Sequence, residues 1–300
     1  MNRPLAGAVI GGSILLSACG RWASAAPVAT RLATLHPAAA LVVTRSVPAF
    51  DLTAAGLASV ADLVTPLDVS ATDTGRTITL IGAYADPART VLFFRERPDI
   101  GLPMVDVSDG LGPIDSGSSM RPIHAPGLQP GDYVVGFDGG PRAGADGLAH
   151  LTMTIRWLRV WSSQGGMVAG SWAFAADLKV QPSVALAAPG RFKLGAWTVQ
   201  IETLEVTPAV VHLQAVVNGA SPVDVIGPGV KASFLELLDG AGTAVTVVSS
   251  GAGITVPKQQ VNASNYHNAR ARYEWARPGS GEYRLHFQGG GGIYDLMLTI

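Results

Sequence analysis

From Leu67 to the C-terminus the apolar residues recur every second position. In "TITLIGAY" (77–84), Ile78, Leu80 and Gly82 alternate with Thr77, Thr79 and Ile81. "LTMTIRW" (151–157) places Leu151, Met153, Ile155 and Trp157 on one face. "SWAFAADLKV" (171–180) turns Trp172, Phe174, Ala176, Leu178 and Val180 inward, with Asp177 and Lys179 outward. A strand with one face on a core needs this period, because successive side chains point to opposite sides. "ASFLELL", "TAVTVVS", "EYRLHF" and "IYDLMLTI" read as further strands, and segments such as "GLQPGD" and "DGGPRAGADG" supply turns between strands.

One stretch has a different period. In "DLTAAGLASVADLVTP" (51–66), Leu57, Val60, Ala61 and Val64 share a helical face, Asp51 can cap the start and Pro66 stops the run. A short helix packed on the first domain is predicted here. The second half repeats the scheme of the first. "WTVQIETLEVTP" (197–208) lies on "RTITLIGAYADP" (76–87) at a constant offset of 121, and each continues into another apolar strand. "QPSVALAAPGRF" (181–192), with proline near both ends, separates the halves. The expected fold is all-β: two tandem immunoglobulin-like β-sandwich domains, 51–182 and 192–300, joined by a linker at 183–191.

Composition supports folded domains. Three hundred residues exceed one ordinary core, and 48% apolar with 14% charged residues provide the interior. Gly 36 and Pro 20 favour turns and short strands. A formal net charge of −1 gives no basic field for nucleic acid.

The chain has one cysteine, so no disulfide can form within it. An uncharged apolar run, "LAGAVIGGSILL" (5–16), precedes "LSAC" (16–19). The run has the length of a secretory signal core and is too short to cross a bilayer comfortably. The motif resembles the lipobox of bacterial lipoproteins: leucine, two small residues, then cysteine. The resemblance implies a signal peptide over 1–18, lipidation of Cys19 and a tether over 19–50. Two or three acyl chains hold firmly, each buried methylene contributing about 0.8 kcal/mol, where one chain is marginal. The expected location is the extracytoplasmic side of a cell membrane.

The phrases "TITLIGAYADPARTVLFF", "GSWAFAADL" and "WTVQIETLEVTPAVVHLQAV" resemble the paired immunoglobulin-like extracytoplasmic domains of membrane-bound anti-sigma-factor-type proteins. The resemblance covers roughly residues 60–300 and brings no catalytic residues. The chain departs from that family in carrying a lipobox where the family has a cytoplasmic segment and a spanning helix.

Candidate chemistry is sparse. His36, His124, His150, His212, His267 and His286 show no metal-binding spacing. Asp106, Asp109 and Asp115 in "DVSDGLGPIDSGSS" offer hard oxygen atoms to calcium, although the spacing is not that of an EF-hand. No GxSxG or SxxK motif is present, and "FDGGPRAGADG" (137–147) reads as a loop between strands. No catalytic residue, metal site or cofactor is expected. The most polar stretch is "NYHNARARYEWARPGSGEYRLHF" (265–287). Read as a hairpin, it puts Arg270, Arg272, Arg284 and His286 on one face, with Glu274 across from Arg284. That face suits an acidic glycan or an envelope protein, or else serves as a solvated edge that resists pairing. The expected function is a non-enzymatic binding or sensing module of the cell envelope, held to the membrane by lipid. The alternatives are an envelope enzyme or carbohydrate-processing accessory with carboxylates assembled in space, and a structural spacer.

Overall fold

The structure is a computed structural model that describes residues 52–53, 55–114, 121–122, 131–160, 166–225, 234–254 and 267–300. The segments expected to be a signal peptide (1–18) and a tether (19–50), with Cys19, and Asp51, Asp115 and His124 lie outside these residues. All described residues belong to one compact unit, Thr44–Ile300.

The chain is all-β. The first half holds β1 (Thr65–Asp73), β2 (Arg76–Ala85), β3 (Arg89–Arg97), β4 (Gly101–Ser108), β5 (Arg121–Pro122), β6 (Asp132–Asp138), β7 (Leu148–Val160) and β8 (Met167–Lys179). They form two antiparallel sheets, ordered β1-β2-β3-β6-β5 and β4-β7-β8. The second half holds β9 (Val184–Ala185), β10 (Phe192–Leu194), β11 (Trp197–Val206), β12 (Val210–Asn218), β13 (Leu235–Asp239), β14 (Val247–Ile254), β15 (Asn268–Ala276), β16 (Glu282–Gly289) and β17 (Gly292–Thr299). Its sheets run β10-β11-β12-β15-β14, with β9 added beside β11, and β13-β16-β17. The same order occurs twice, and each pair of sheets closes on its own apolar core. Both halves are immunoglobulin-like sandwiches.

The internal repeat extends through the hydrogen-bond register. Asp73 pairs with Arg76 and Ala71 with Ile78, and 121 residues later Leu194 pairs with Trp197 and Phe192 with Val199. Both central strand pairs carry a bulge at the matching position, Ile81 in β2 and Glu202 in β11. The bulge shifts the strand's parity by one residue. Before it, Ile78 and Leu80 enter the first core; after it, Ala83 and Ala85 do. Ile81 and Tyr84 therefore face the other way, joining Val91, Phe93 and Val134 on the outer side of the sheet. Strict alternation through residue 84 is replaced by a strand end buried on both faces.

Three other expectations change. The segment before β1 is a 3-10 helix, Ala58–Leu63, in which Val60 leaves helical geometry. Gly56, at φ +66°, closes a separate turn, and Pro66 lies within β1. Trp157 is 46% exposed, not inward, because a bulge between Ile155 and Trp157 turns Leu158 to the core instead. The stretch expected to be a hairpin at 265–287 also departs from that reading in its described residues: β15 pairs with β12 and β14, while β16 pairs with β13 and β17. The turn at 277–281 carries the chain from one sheet to the facing one. Ala271, Tyr273 and Trp275 thus meet Tyr283, Leu285 and Phe287 across a shared core.

The connection between the halves is itself paired. The Gln181 amide donates to Ala85 O at 2.9 Å, and the Leu186 amide to Leu204 O at 2.9 Å. It thus bonds to β2 of the first sandwich and the equivalent β11 of the second.

Candidate functional site

A polar seam lies where the sandwiches meet, built on the two repeated corners after β2 and β11. Asp86 Oδ1 accepts the amides of Ala88 and Arg89, both at 2.9 Å. Thr207 Oγ1 accepts those of Ala209 and Val210 at 3.2 and 3.1 Å. Short polar side chains before proline make such turns by standing in for a backbone acceptor. Tyr84 donates its hydroxyl to Asp86 Oδ2 at 2.8 Å. Burial pushes the carboxyl of Asp86 up, while Arg89, Tyr84 and Thr207 pull it back. Burial and Asp86 together raise the Tyr84 phenol far above its ordinary range.

Arg89 reaches across the seam. Its Nη1 donates to Ala55 O at 3.0 Å and stands 4.0 Å from Glu274 Oε2 of β15. Glu274 also binds Arg272, whose guanidinium pairs with Asp138 of the first sandwich and donates to Ala88 O at 2.8 Å. His212 Nδ1 lies 3.8 Å from Glu274 Oε1. Burial pushes the imidazole down, so His212 is held towards its neutral form, with Glu274 opposing. Arg89, His212 and Glu274 are all at most 5% exposed. Buried charges that are paired across an interface resist separation, since either partner left alone loses several kcal/mol, roughly 3–5. Such a seam holds two bodies together.

The predicted arginine face is divided. Arg270 and Arg272 lie on β15, and Arg284 and His286 on β16, in opposite sheets of the same sandwich. Arg270 pairs with Glu202 at 3.1 Å, and Arg272 is drawn into the seam. His286 meets Asp295 at 2.6 Å, with Arg284 3.5 Å from the same carboxylate. Glu274 sits beside Arg272 and opposite His212, not opposite Arg284.

Asp109, a candidate calcium ligand, is held by Arg142 through two 2.8 Å contacts, which keep its carboxyl well below the usual range. Asp106 faces outward on β4. Among the described residues no group of three or more His, Cys, Asp or Glu could hold a metal ion. Among them, too, no helix is long and apolar enough to cross a membrane. Another buried carboxylate, Glu96, accepts the amides of Ile100 and Gly101 at 3.3 Å, and burial pushes it up.

Tyr84, Asp86, Arg89, Thr207 and His212 were not legible as a site. The signal was present in the aligned corners "ADPAR" and "VTPAV", each with an oxygen-bearing side chain before proline.

No protein-family model matches the chain, and no curated protein matches it. Among solved structures, a conserved domain protein from Bacillus anthracis aligns with a TM-score of 0.49 and 13% identity, over 80% of this chain and 90% of that one. Bovine butyrophilin aligns at 0.21 and 8%, over 73% and 94%. Titin A168–A169 aligns at 0.18 and 12%, over 72% and 90%. All three scores fall below 0.5, so the fold assignment rests on the chain's own sheets: an all-β protein of two tandem, topologically matching sandwiches.

Proposed function

We propose that this chain is a lipid-anchored, extracytoplasmic, non-enzymatic module that presents its two sandwiches as one body for binding or sensing at the cell envelope. The observation that carries the reading is Cys19, the single cysteine, at the end of "LSAC" behind an uncharged apolar run. The seam supports the second part, because Arg89, Arg272 and Glu274 bind each half to the other. The likeness to the extracytoplasmic pairs of anti-sigma-factor-type proteins supports a display role without catalysis. A glycan or envelope protein is the partner class in keeping with that location.

The test is Cys19→Ser in a bacterial host fed labelled fatty acid. The wild-type chain takes up label and is processed before Cys19, and the variant takes up no label and keeps residues 1–18. A variant that stays labelled, processed and membrane-bound overturns the reading.

A further inference from the structure

The chain just before the 3-10 helix is inserted into the seam. Leu52, Ala55 and Leu57 are buried at 7%, 1% and 0% exposure. They join a cluster with Tyr84 and Phe93 of the first sandwich and Val210 and Val248 of the second. The turn is closed by the Leu57 amide donating to Leu52 O at 2.7 Å. Its two exit carbonyls, Ala55 O and Gly56 O, receive Arg89 at 3.0 and 3.5 Å. Gly56 is required twice over. Its φ is +66°, and a Cβ there would stand 2.7 Å from a methyl of Val248. The segment therefore touches both halves, and it supplies acceptors to the arginine that also faces Glu274.

We infer that residues 52, 53 and 55–57 are a latch: they hold the two sandwiches in one orientation, and tension on the chain before them releases the seam. The cause is geometric. The apolar outer face of β2, β3 and β6 is covered by this segment, and the same segment fills the angle against β14. Withdrawing it exposes Tyr84 and Phe93 to water and strips two acceptors from Arg89. The segment also lies directly downstream of the stretch 19–50 in sequence, so a pull applied there reaches it before any of the described strands. The relevance of tension rests on the anchored reading above; the latch itself does not.

The test uses the full chain with Cys19→Ser, in solution, so that the latch is read without the anchor. Spin labels are placed at two exposed positions, Ala173→Cys on β8 and Met297→Cys on β17. The parent gives one narrow distance distribution. Gly56→Val, which puts methyls against Val248, raises hydrogen exchange at 52–57 at least tenfold and broadens the distribution. A narrow distribution with the latch displaced overturns the inference, as does a latch that stays protected. A second variant tests position independently of folding yield. A Cβ built on Gly56 lies 3.4 Å from Val248 Cβ, near the spacing of a disulfide. Gly56→Cys with Val248→Cys, made without the spin-label sites, closes on mild oxidation and then shows exchange at 52–57 no faster than the parent. Failure to close overturns the placement. Should Cys19→Ser stay labelled by fatty acid, processed and membrane-bound in cells while these outcomes hold, the anchor reading fails and the latch stands.

Discussion

Asp86 and Thr207 stand 121 residues apart and do the same work: each side-chain oxygen accepts the two amides that follow its proline. The duplication thus places a charged acceptor on one side of the seam and a neutral one on the other. Thr207 lies near enough to Asp86 to pull its carboxyl down, so the two copies of one corner meet.

Removing each acceptor should have unequal effects. Thr207→Ala leaves two buried amides short of a partner and is expected to destabilise by about 1–3 kcal/mol. Asp86→Ala also strands the Tyr84 hydroxyl and leaves Arg89 with less compensation, so its loss is expected to be larger. Urea unfolding of both single variants and the double variant checks this. Losses that simply add would mean that the two corners do not interact.

Glu96 supplies a pH signature. Its folded pKa is raised by burial, so its favourable contribution is complete below the unfolded carboxylate value, near 4.3, and is lost as pH rises through the folded value. Glu96→Gln keeps an acceptor for Ile100 and Gly101 and carries no charge. It should match the parent near pH 4 and exceed it in thermal midpoint at pH 7. A variant less stable at pH 7 would contradict the buried-charge account.

His212 has the opposite sign. Its folded pKa is depressed, so its contribution is complete above the unfolded value, near 6.5, and is lost as pH falls through the folded value. The parent should lose stability between pH 7.5 and pH 5 partly through this group. His212→Gln should lose less over the same interval in paired denaturant titrations. Equal losses would show that other groups carry the acid response.

Two glycines of the second sandwich separate space from backbone strain. A Cβ on Gly195 would stand 2.1 Å from Gly290 O, whereas one on Gly291 meets nothing within 4 Å. Both have positive φ, so alanine at either carries a left-handed penalty of about 1–2 kcal/mol. Gly195→Ala must in addition push apart two turns, which the Ala196 amide joins to Gly290 O at 2.8 Å. It should cost at least twice what Gly291→Ala costs, measured by denaturant midpoint. Equal effects would remove the close approach from the explanation.

Alternation along the chain determined the fold class and most inward residues. Trp172, Phe174, Leu178, Tyr273, Trp275 and Phe287 are all buried as period two requires. The offset repeat was legible as well, because two copies of one pattern need no third dimension to be compared. Strand periodicity is a local property: each side chain's face follows from its neighbours two residues away. Tertiary structure alone decided the rest. The bulge at Arg156 sent Trp157 outward, and the turn at 277–281 delivered β16 to the opposite sheet, which separated Arg284 from Arg270. The seam belongs with these. Arg89 finds Glu274 and Ala55 only after two sandwiches and the preceding segment converge. No period within one strand records what will cover its second face.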